Sequence, residues 1–167
     1  MLDSYYRAFI AEQRYLMYLD GLKMTLLVSL LAIILGVALG TILALMRMTA
    51  ERRGKSTLLS KIAYVYIDII RGTPTVTQLL IMYFVVLKGV DGLIVGTVTF
   101  GLNSAAYVAE IIRAGILAVD HGQMEGGRSL GLSYGQTMKD IILPQAVKNI
   151  LPALGNEFIV LIKETAI

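Results

Sequence analysis

The sequence has few of the residues that usually carry chemistry. It contains no cysteine, no tryptophan and a single histidine, His121, among its 167 residues. Without cysteine, the protein has no disulfide, no thiolate metal ligand and no cysteine nucleophile. A single histidine also argues against a catalytic triad or a metal site built from imidazoles. We therefore expect this chain to have no catalytic residue, no metal site and no bound cofactor.

Charged residues are scarce as well. They make up 16% of the sequence, whereas soluble domains usually carry about 25%. Hydrophobic residues account for 56%, and the mean hydropathy is +0.72. The net charge of +3 suits lysines and arginines that face an anionic lipid leaflet better than it suits a nucleic-acid surface. The composition is therefore typical of a membrane protein, and we expect no nucleic-acid partner.

Long apolar segments predict an all-α fold, a polytopic transmembrane bundle of about four helices. The clearest segment, Met24 to Met46, has 23 residues and no charge. At about 1.5 Å per residue it can cross a hydrocarbon core of roughly 30 Å. Its glycines Gly36 and Gly40 either let another helix approach closely or are merely tolerated. The predicted spans are residues 24–46, 72–87, 93–117 and 146–162, all within one domain of residues 1–167.

The distribution of cations predicts the orientation of the chain in the membrane. Residues 47–61 contain five lysines and arginines against a single acid, Glu51. Because cytoplasmic loops are enriched in such cations, we place this loop in the cytoplasm and the N-terminus outside. The polar residues 119–145 come two spans later, so we expect them on the cytoplasmic side too.

A polar face runs along the third predicted span. Asn103, Tyr107 and Glu110 are spaced by four and three residues, which puts them on one side of a helix. Such side chains are costly against lipid, so we expect them to face the interior of the bundle. Glu110 and Arg113 are three residues apart and are expected to pair with each other. Asn103 is then the better ligand candidate.

The fourth predicted span carries two carboxylates. Glu157 and Glu164 are seven residues apart, two helical turns, and so share one face. Acidic groups at this depth favour a cationic solute or the ammonium group of an amino acid. Lys163, next to Glu164, leaves a second interpretation open, in which the pair is a salt-bridged helix end.

Residues Glu125 to Pro144 form a polar, glycine-rich segment between apolar ones. The segment contains a pattern of fixed spacing. It consists of a glutamate, two small residues, a glycine and an I-x-L-P string, and its positions are Glu125, Gly131, Ile141, Leu143 and Pro144. This spacing resembles the Glu-Ala-Ala loop of bacterial ABC importer permeases. The chain has Gly126 and Gly127 where that family has alanines, and each glycine costs a helix about 1 kcal/mol relative to alanine.

In that family the loop forms a short cytoplasmic helix that docks on the ATP-hydrolysing subunit. The resemblance implies the same coupling role for residues 119–145 here. The residues expected to carry the contact are Glu125, Gly126, Gly127, Gly131 and Leu132.

A second resemblance narrows the branch of the family. The string Arg71-Gly72-Thr73-Pro74, followed by Gln78 and Tyr83, resembles a signature of the polar amino-acid permeases, as does the segment 103–113. By the same resemblance, the solute path is expected to be lined by Asn103, Glu157 and Glu164. Structural roles are expected for Arg71, Pro74 and Pro144.

These resemblances imply a permease subunit of a binding-protein-dependent amino-acid importer in the bacterial plasma membrane. The implied partners are two ABC ATPase subunits, which bind ATP and Mg²⁺, a second identical or related permease, an external solute-binding protein and the lipid bilayer. The family adds another span after the string Lys163-Glu164-Thr165, so we expect the last span to be missing from these residues.

Parts of the sequence leave other functions open. The protein could instead carry another small polar solute, or serve as a membrane assembly subunit that transports nothing. An intramembrane hydrolase would need Ser104 beside His121, but His121 lies in the aqueous segment. The string Gly54-Lys55-Ser56 resembles the end of a P-loop, but Thr49 stands where its leading glycine belongs. We therefore predict no ATPase site in this chain.

Overall fold

The computed structural model describes Tyr6, residues 11–53 and residues 56–166, with the backbone alone described for residues 12 and 51–53. This part of the chain is helical and contains no strand. A short 3-10 helix, Ala11–Gln13, precedes the α-helices, which are α1 (Tyr15–Arg53), α2 (Leu58–Gly72), α3 (Thr75–Ile81), α4 (Gly92–Leu117), α5 (His121–Ser129), α6 (Tyr134–Thr137) and α7 (Leu143–Glu164). π-helical turns at Met82–Val86 and Met138–Ile142 continue α3 and α6. The predicted all-α fold is confirmed.

Helix length and composition identify the candidate membrane spans. Residues 15–50 of α1 and all of α4 are long and apolar enough to cross a membrane. Helices α2 and α3 qualify only as a pair, bent by 104°, which gives up to three candidate spans in the described part of the chain. Helix α7 contains the fourth predicted span but does not meet these limits. The four-span arrangement therefore stays a prediction.

The bend between α2 and α3 follows from Pro74. Proline has no N–H to donate and disfavours the helical conformation in the residue before it. Thr73 is accordingly extended, with φ −110° and ψ 132°, and α2 ends at Gly72. The predicted span 72–87 thus corresponds to the second arm of a broken helix whose first arm is α2.

Helices α1 and α4 pack closely because glycines line their contact. A β-carbon at Gly36 would lie 2.8 Å from Ser104 Oγ, and one at Gly40 would lie 2.7 Å from Val108 Cβ. The two glycines are therefore required for close approach. Because the contacts advance together along both helices, α1 and α4 run parallel. Their C-terminal ends lie at the same end of the bundle, in agreement with a shared side for residues 47–61 and 119–145.

Helix α4 is the centre of the fold. One apolar cluster joins it to α1 and α7 through Val28, Ala32, Phe100 and Leu161. A second cluster joins it to α1 and α2 through Ala44, Ile67, Ala106 and Ala109. Polar residues on α4 consequently point into helix contacts on several sides, and they organise the site.

Candidate functional site

The broken helix lies beside the middle of α4. The Tyr66 hydroxyl donates to the carbonyl oxygen of Leu102 at 2.7 Å. One residue further along α4, the Asn103 amide nitrogen donates to Gln78 Oε1 at 3.2 Å. Both arms of the break are thereby attached to α4 about ten residues from its N-terminal end.

Gln78 closes the gap that the break leaves in the backbone hydrogen bonding. Its Nε2 donates to the carbonyl of Ile70 at 2.7 Å and to the carbonyl of Thr73 at 2.9 Å. Carbonyls at a helix C-terminus lack intrahelical donors and are costly to leave unpaired in an apolar setting. Gln78 therefore links α2, α3 and, through Asn103, α4. The sequence marked Gln78 only as part of a signature and did not reveal this role.

Ser104, the next residue on α4, anchors α7. It is fully buried, and its Oγ donates to Glu157 Oε1 at 2.8 Å. Glu157 is only 8% exposed, so this bond satisfies part of a carboxylate inside the bundle. Glu164 is half-buried, lies next to the side chain of Thr75 and is close enough to Glu157 for the two carboxylates to repel each other.

We call the residues around the break the polar cluster; its members are Thr75, Gln78, Asn103, Ser104, Glu157 and Glu164. It contains all three residues predicted for the solute path. Asn103, at 3% exposure, and Glu157 are both engaged inside the bundle, whereas Glu164 at the end of α7 is more open. The cluster thus offers two carboxylates and two amides within one region crossed by a helix break. Binding sites in membrane transporters recur at such breaks.

An ion-pair group lies closer to the C-terminal end of α4. Glu110 pairs with Arg113 at 3.0 Å, as predicted, and it also pairs with Arg47 of α1. Arg47 stacks over the ring of Tyr64, 5.3 Å from its centroid. One carboxylate therefore holds two cations and ties α1 to α4. Tyr107, on the same face of α4, is covered by the guanidinium of Arg71 at 5.2 Å.

The segment predicted to couple to a partner, residues 119–145, begins with helix α5. The Asp120 side chain caps this helix by accepting from the backbone N–H of Gly122 at 2.7 Å. Gly127 is buried, and a β-carbon there would lie 2.5 Å from Thr137 Cγ2. The second glycine of the motif therefore lets α5 pack on α6, whereas Gly126 faces open space.

Gly131 ends α5 in a left-handed turn with φ +84°. The N–H of Leu132 donates to the carbonyl of Gly127 at 3.2 Å, and the N–H of Gly131 donates to that of Arg128 at 3.1 Å. This is a Schellman motif, which satisfies carbonyls that the helix end would otherwise leave unpaired. A β-carbon at Gly131 would meet nothing within 4 Å, so lack of space does not require glycine here. The positive φ does require it, because residues with a side chain rarely adopt that conformation.

The turn exposes a large apolar side chain that sequence reasoning missed. Leu130 is 82% exposed, beside the exposed residues Glu125 and Gly126. In the sequence, only the position of Leu130 inside a polar segment could have indicated an exposed apolar side chain. A single exposed apolar side chain is common at protein surfaces, so Leu130 alone does not identify a contact surface.

Two further predictions concern an active site built from Ser104 and His121 and the structural role of Pro144. Ser104 is buried against Glu157, while the His121 side chain is 91% exposed and 3.7 Å from Glu125, so the structure does not bring Ser104 and His121 together. Pro144 lies in the first turn of α7, where its missing N–H is tolerated. No group of three potential metal ligands occurs among the described residues.

Comparison with known proteins decides the family. The family model described as the binding-protein-dependent transport system inner membrane component matches residues 32–167. The chain belongs to this family. As such a permease it is an inner-membrane component, and the family works with ATPase and solute-binding partners.

Named relatives and a solved structure support the assignment. The permease is 47% identical to the arginine transport system permease protein ArtQ of Bacillus subtilis over 153 residues, covering 89% of this chain and 68% of ArtQ. It is 46% identical to the putative glutamine transport system permease protein GlnP of Rickettsia bellii, covering 91% and 69%. A chain in a crystal structure of an amino acid ABC transporter with histidines superposes with a TM-score of 0.84 at 45% identity, covering 95% and 73%. The predicted permease fold is confirmed.

Proposed function

We propose that this permease moves polar amino acids across the bacterial plasma membrane as part of an ATP-driven importer. The observation that carries the proposal is the polar cluster at the helix break, since carboxylates within a membrane bundle are costly and therefore usually mark a functional site. The relatives named for arginine and glutamine transport support an amino acid as the solute.

In the proposed path, Asn103, Glu157 and Glu164 meet the solute. An amino acid presents an ammonium group, and a carboxylate has lone pairs for more donors than the single hydroxyl that Ser104 supplies. Glu164 is the most accessible of the three and would meet the cation first. Asn103 already bonds to Gln78, so its contact with a solute requires exchange of that partner.

Residues 119–145 transmit the energy in this proposal. Helix α5 docks on an ABC ATPase through Glu125, Gly126, Leu132 and the exposed Leu130. Gly127 and Gly131 shape that surface, the first by packing on Thr137 and the second by turning the chain. ATP and Mg²⁺ are bound and ATP is hydrolysed on the ATPase subunits, and this chain contributes no catalytic residue.

The proposed assembly contains two permeases and two ATPases, with a solute-binding protein on the outer side. The N-terminus lies outside, so that residues 47–61 and the coupling segment 119–145 face the ATPases. Closure of the ATPases pushes on α5, and the bundle moves between outward-open and inward-open arrangements. Such switching requires two discrete packings of the helices.

Reconstitution of the complete system tests this proposal. The permease, its ATPase and its binding protein would be placed in liposomes containing ATP, and uptake of labelled arginine, glutamine and a neutral sugar would be compared. We expect ATP-dependent uptake of an amino acid and none of the sugar. Uptake of the sugar alone would point to a different polar solute, and binding of the ATPase without any uptake would favour an assembly subunit.

A further inference from the structure

A second polar site lies away from the polar cluster, in the corner between α1 and the first turns of α2. It is a cavity of about 380 Å³ lined by Arg47, Ser56, Ser60, Lys61, Tyr64 and Val65. None of these lining residues is acidic. The proposed transport mechanism assigns no role to this corner.

The charges around this corner do not balance. Arg47 and Arg113 share one carboxylate, Glu110. Lys61 is exposed, and its ammonium has no hydrogen-bond or ion-pair partner among the described residues. Of the two cations that line the cavity, Arg47 is paired with Glu110, so the charge of Lys61 is in excess among the described residues. An anionic ligand would neutralise that excess.

The surroundings of the cavity indicate an amphiphile. The same first turns of α2 expose the large apolar side chains of Leu58, Leu59 and Ile62, at 75%, 59% and 54%. Tyr64 is 54% exposed and stacks beneath Arg47, and tyrosines are enriched where membrane meets water. Cations, hydroxyls and a tyrosine therefore lie next to a surface suited to hydrocarbon chains.

The arrangement leads us to propose that this corner binds the phosphate of an anionic phospholipid headgroup, with Lys61 and Arg47 as its cationic contacts. Basic pockets between membrane helices suit such headgroups, and each interfacial cation contributes noticeably to the attraction. The exposed leucines of α2 receive the acyl chains. The proposal rests on the placement of α1 and α2 in the membrane but not on the identity of the solute.

Lipid retention on the purified permease tests the site directly. The chain would be purified from nanodiscs holding equal amounts of phosphatidylglycerol and phosphatidylcholine, and bound lipids would be counted by native mass spectrometry. We expect wild type to retain phosphatidylglycerol preferentially. Lys61→Gln should lower the retained ratio of the two lipids about fivefold, the effect of one interfacial cation. Lys61→Arg should preserve the ratio.

A matched control removes a cation elsewhere. Lys139 is exposed in the coupling segment and does not line the cavity, so Lys139→Gln should leave the ratio unchanged. An equal drop in both glutamine variants, or no lipid preference in wild type, would overturn the proposal. Displacement of the lipid by millimolar inorganic phosphate would show that the site takes free phosphate instead. The measurement involves no transport, so its failure is distinguishable from failure of the proposed function.

Discussion

The polar cluster and the coupling segment use polar residues in opposite ways. In the polar cluster each amide and carboxylate has a partner on another helix, as when Asn103 of α4 bonds to Gln78 of α3. In the coupling segment most hydrogen bonds are local, the one between Gln145 and Gln123 excepted, and the distinctive residues are glycines. The first region depends on tertiary partners, whereas the second depends on backbone shape. Substitutions should therefore affect the two regions through different observables.

The largest effect on uptake is expected from a substitution at Gly131, because its positive φ suits few residues other than glycine. Gly131→Val places a β-branched residue at φ +84°, a conformation that costs L-residues about 1–2 kcal/mol and β-branched ones more. We expect uptake to fall at least tenfold while the amount of protein in the membrane fraction stays the same. Gly135→Ala is the matched control, since Gly135 has open space and no positive φ. Wild-type uptake by Gly131→Val would end the coupling assignment.

A smaller effect is expected from neutralising a carboxylate of the polar cluster. Glu157→Gln keeps an oxygen that can accept from Ser104 but removes the charge proposed to attract the solute. We expect solute-stimulated ATP hydrolysis of the assembled complex to fall several-fold, with basal hydrolysis unchanged. ATPase assays over a range of solute concentrations measure both. If the solute dependence is unaltered, Glu157 is a structural residue and the path lies elsewhere.

The bridging role of Gln78 can be separated from a role in binding. Gln78→Leu leaves the carbonyl of Thr73 without its donor and that of Ile70 with only the N–H of Thr73 at 3.4 Å, and a buried unpaired group costs about 1–3 kcal/mol. We expect a lower thermal unfolding temperature in detergent. Because Gln78 and Asn103 share a bond, the effects of Gln78→Leu and Asn103→Leu should not add in the double variant. Full additivity would show that the bond is energetically unimportant.

The smallest effect distinguishes the two neighbouring glycines of α5. Gly126→Ala should stabilise the permease by up to about 1 kcal/mol, because its β-carbon meets nothing and alanine favours helix. Gly127→Ala should destabilise it, because the added carbon lies 2.5 Å from Thr137 Cγ2. Thr137→Ser removes that methyl and should recover part of the stability in the double variant, since the added carbon still lies 3.1 Å from Ile141 Cδ1. Thermal unfolding of the four proteins measures the pattern, which equal effects of both alanines would contradict.

Much of the fold could be predicted from the sequence, because apolar length and Pro74 act locally. The uncharged run 24–46 marked α1, and the polar spacing on α4 correctly predicted the Glu110–Arg113 pair. The second partner of Glu110, Arg47, could not be foreseen, since 63 residues separate the two and only the parallel packing of α1 and α4 brings them together.

In the candidate site, too, local features could be predicted from the sequence, whereas contacts between helices could not. The spacing from Glu125 to Pro144 predicts a coupling segment, and residue types predict that Asn103 and the two glutamates line the solute path. Both roles stay predictions. The sequence did not indicate that Gln78 spans the helix break or that Ser104 holds Glu157. Both are contacts between helices, and helix periodicity gives the face of a residue but not its neighbour.

The glycine contact between α1 and α4 has a mechanical consequence. Residues that approach this closely leave little room for one helix to slide along the other, so we expect the two helices to move together. Only residues 118–120 separate α4 from α5. In the proposed mechanism, a displacement of α5 would therefore be passed along α4 to Asn103, roughly 21 Å from Leu117, where the broken helix is attached.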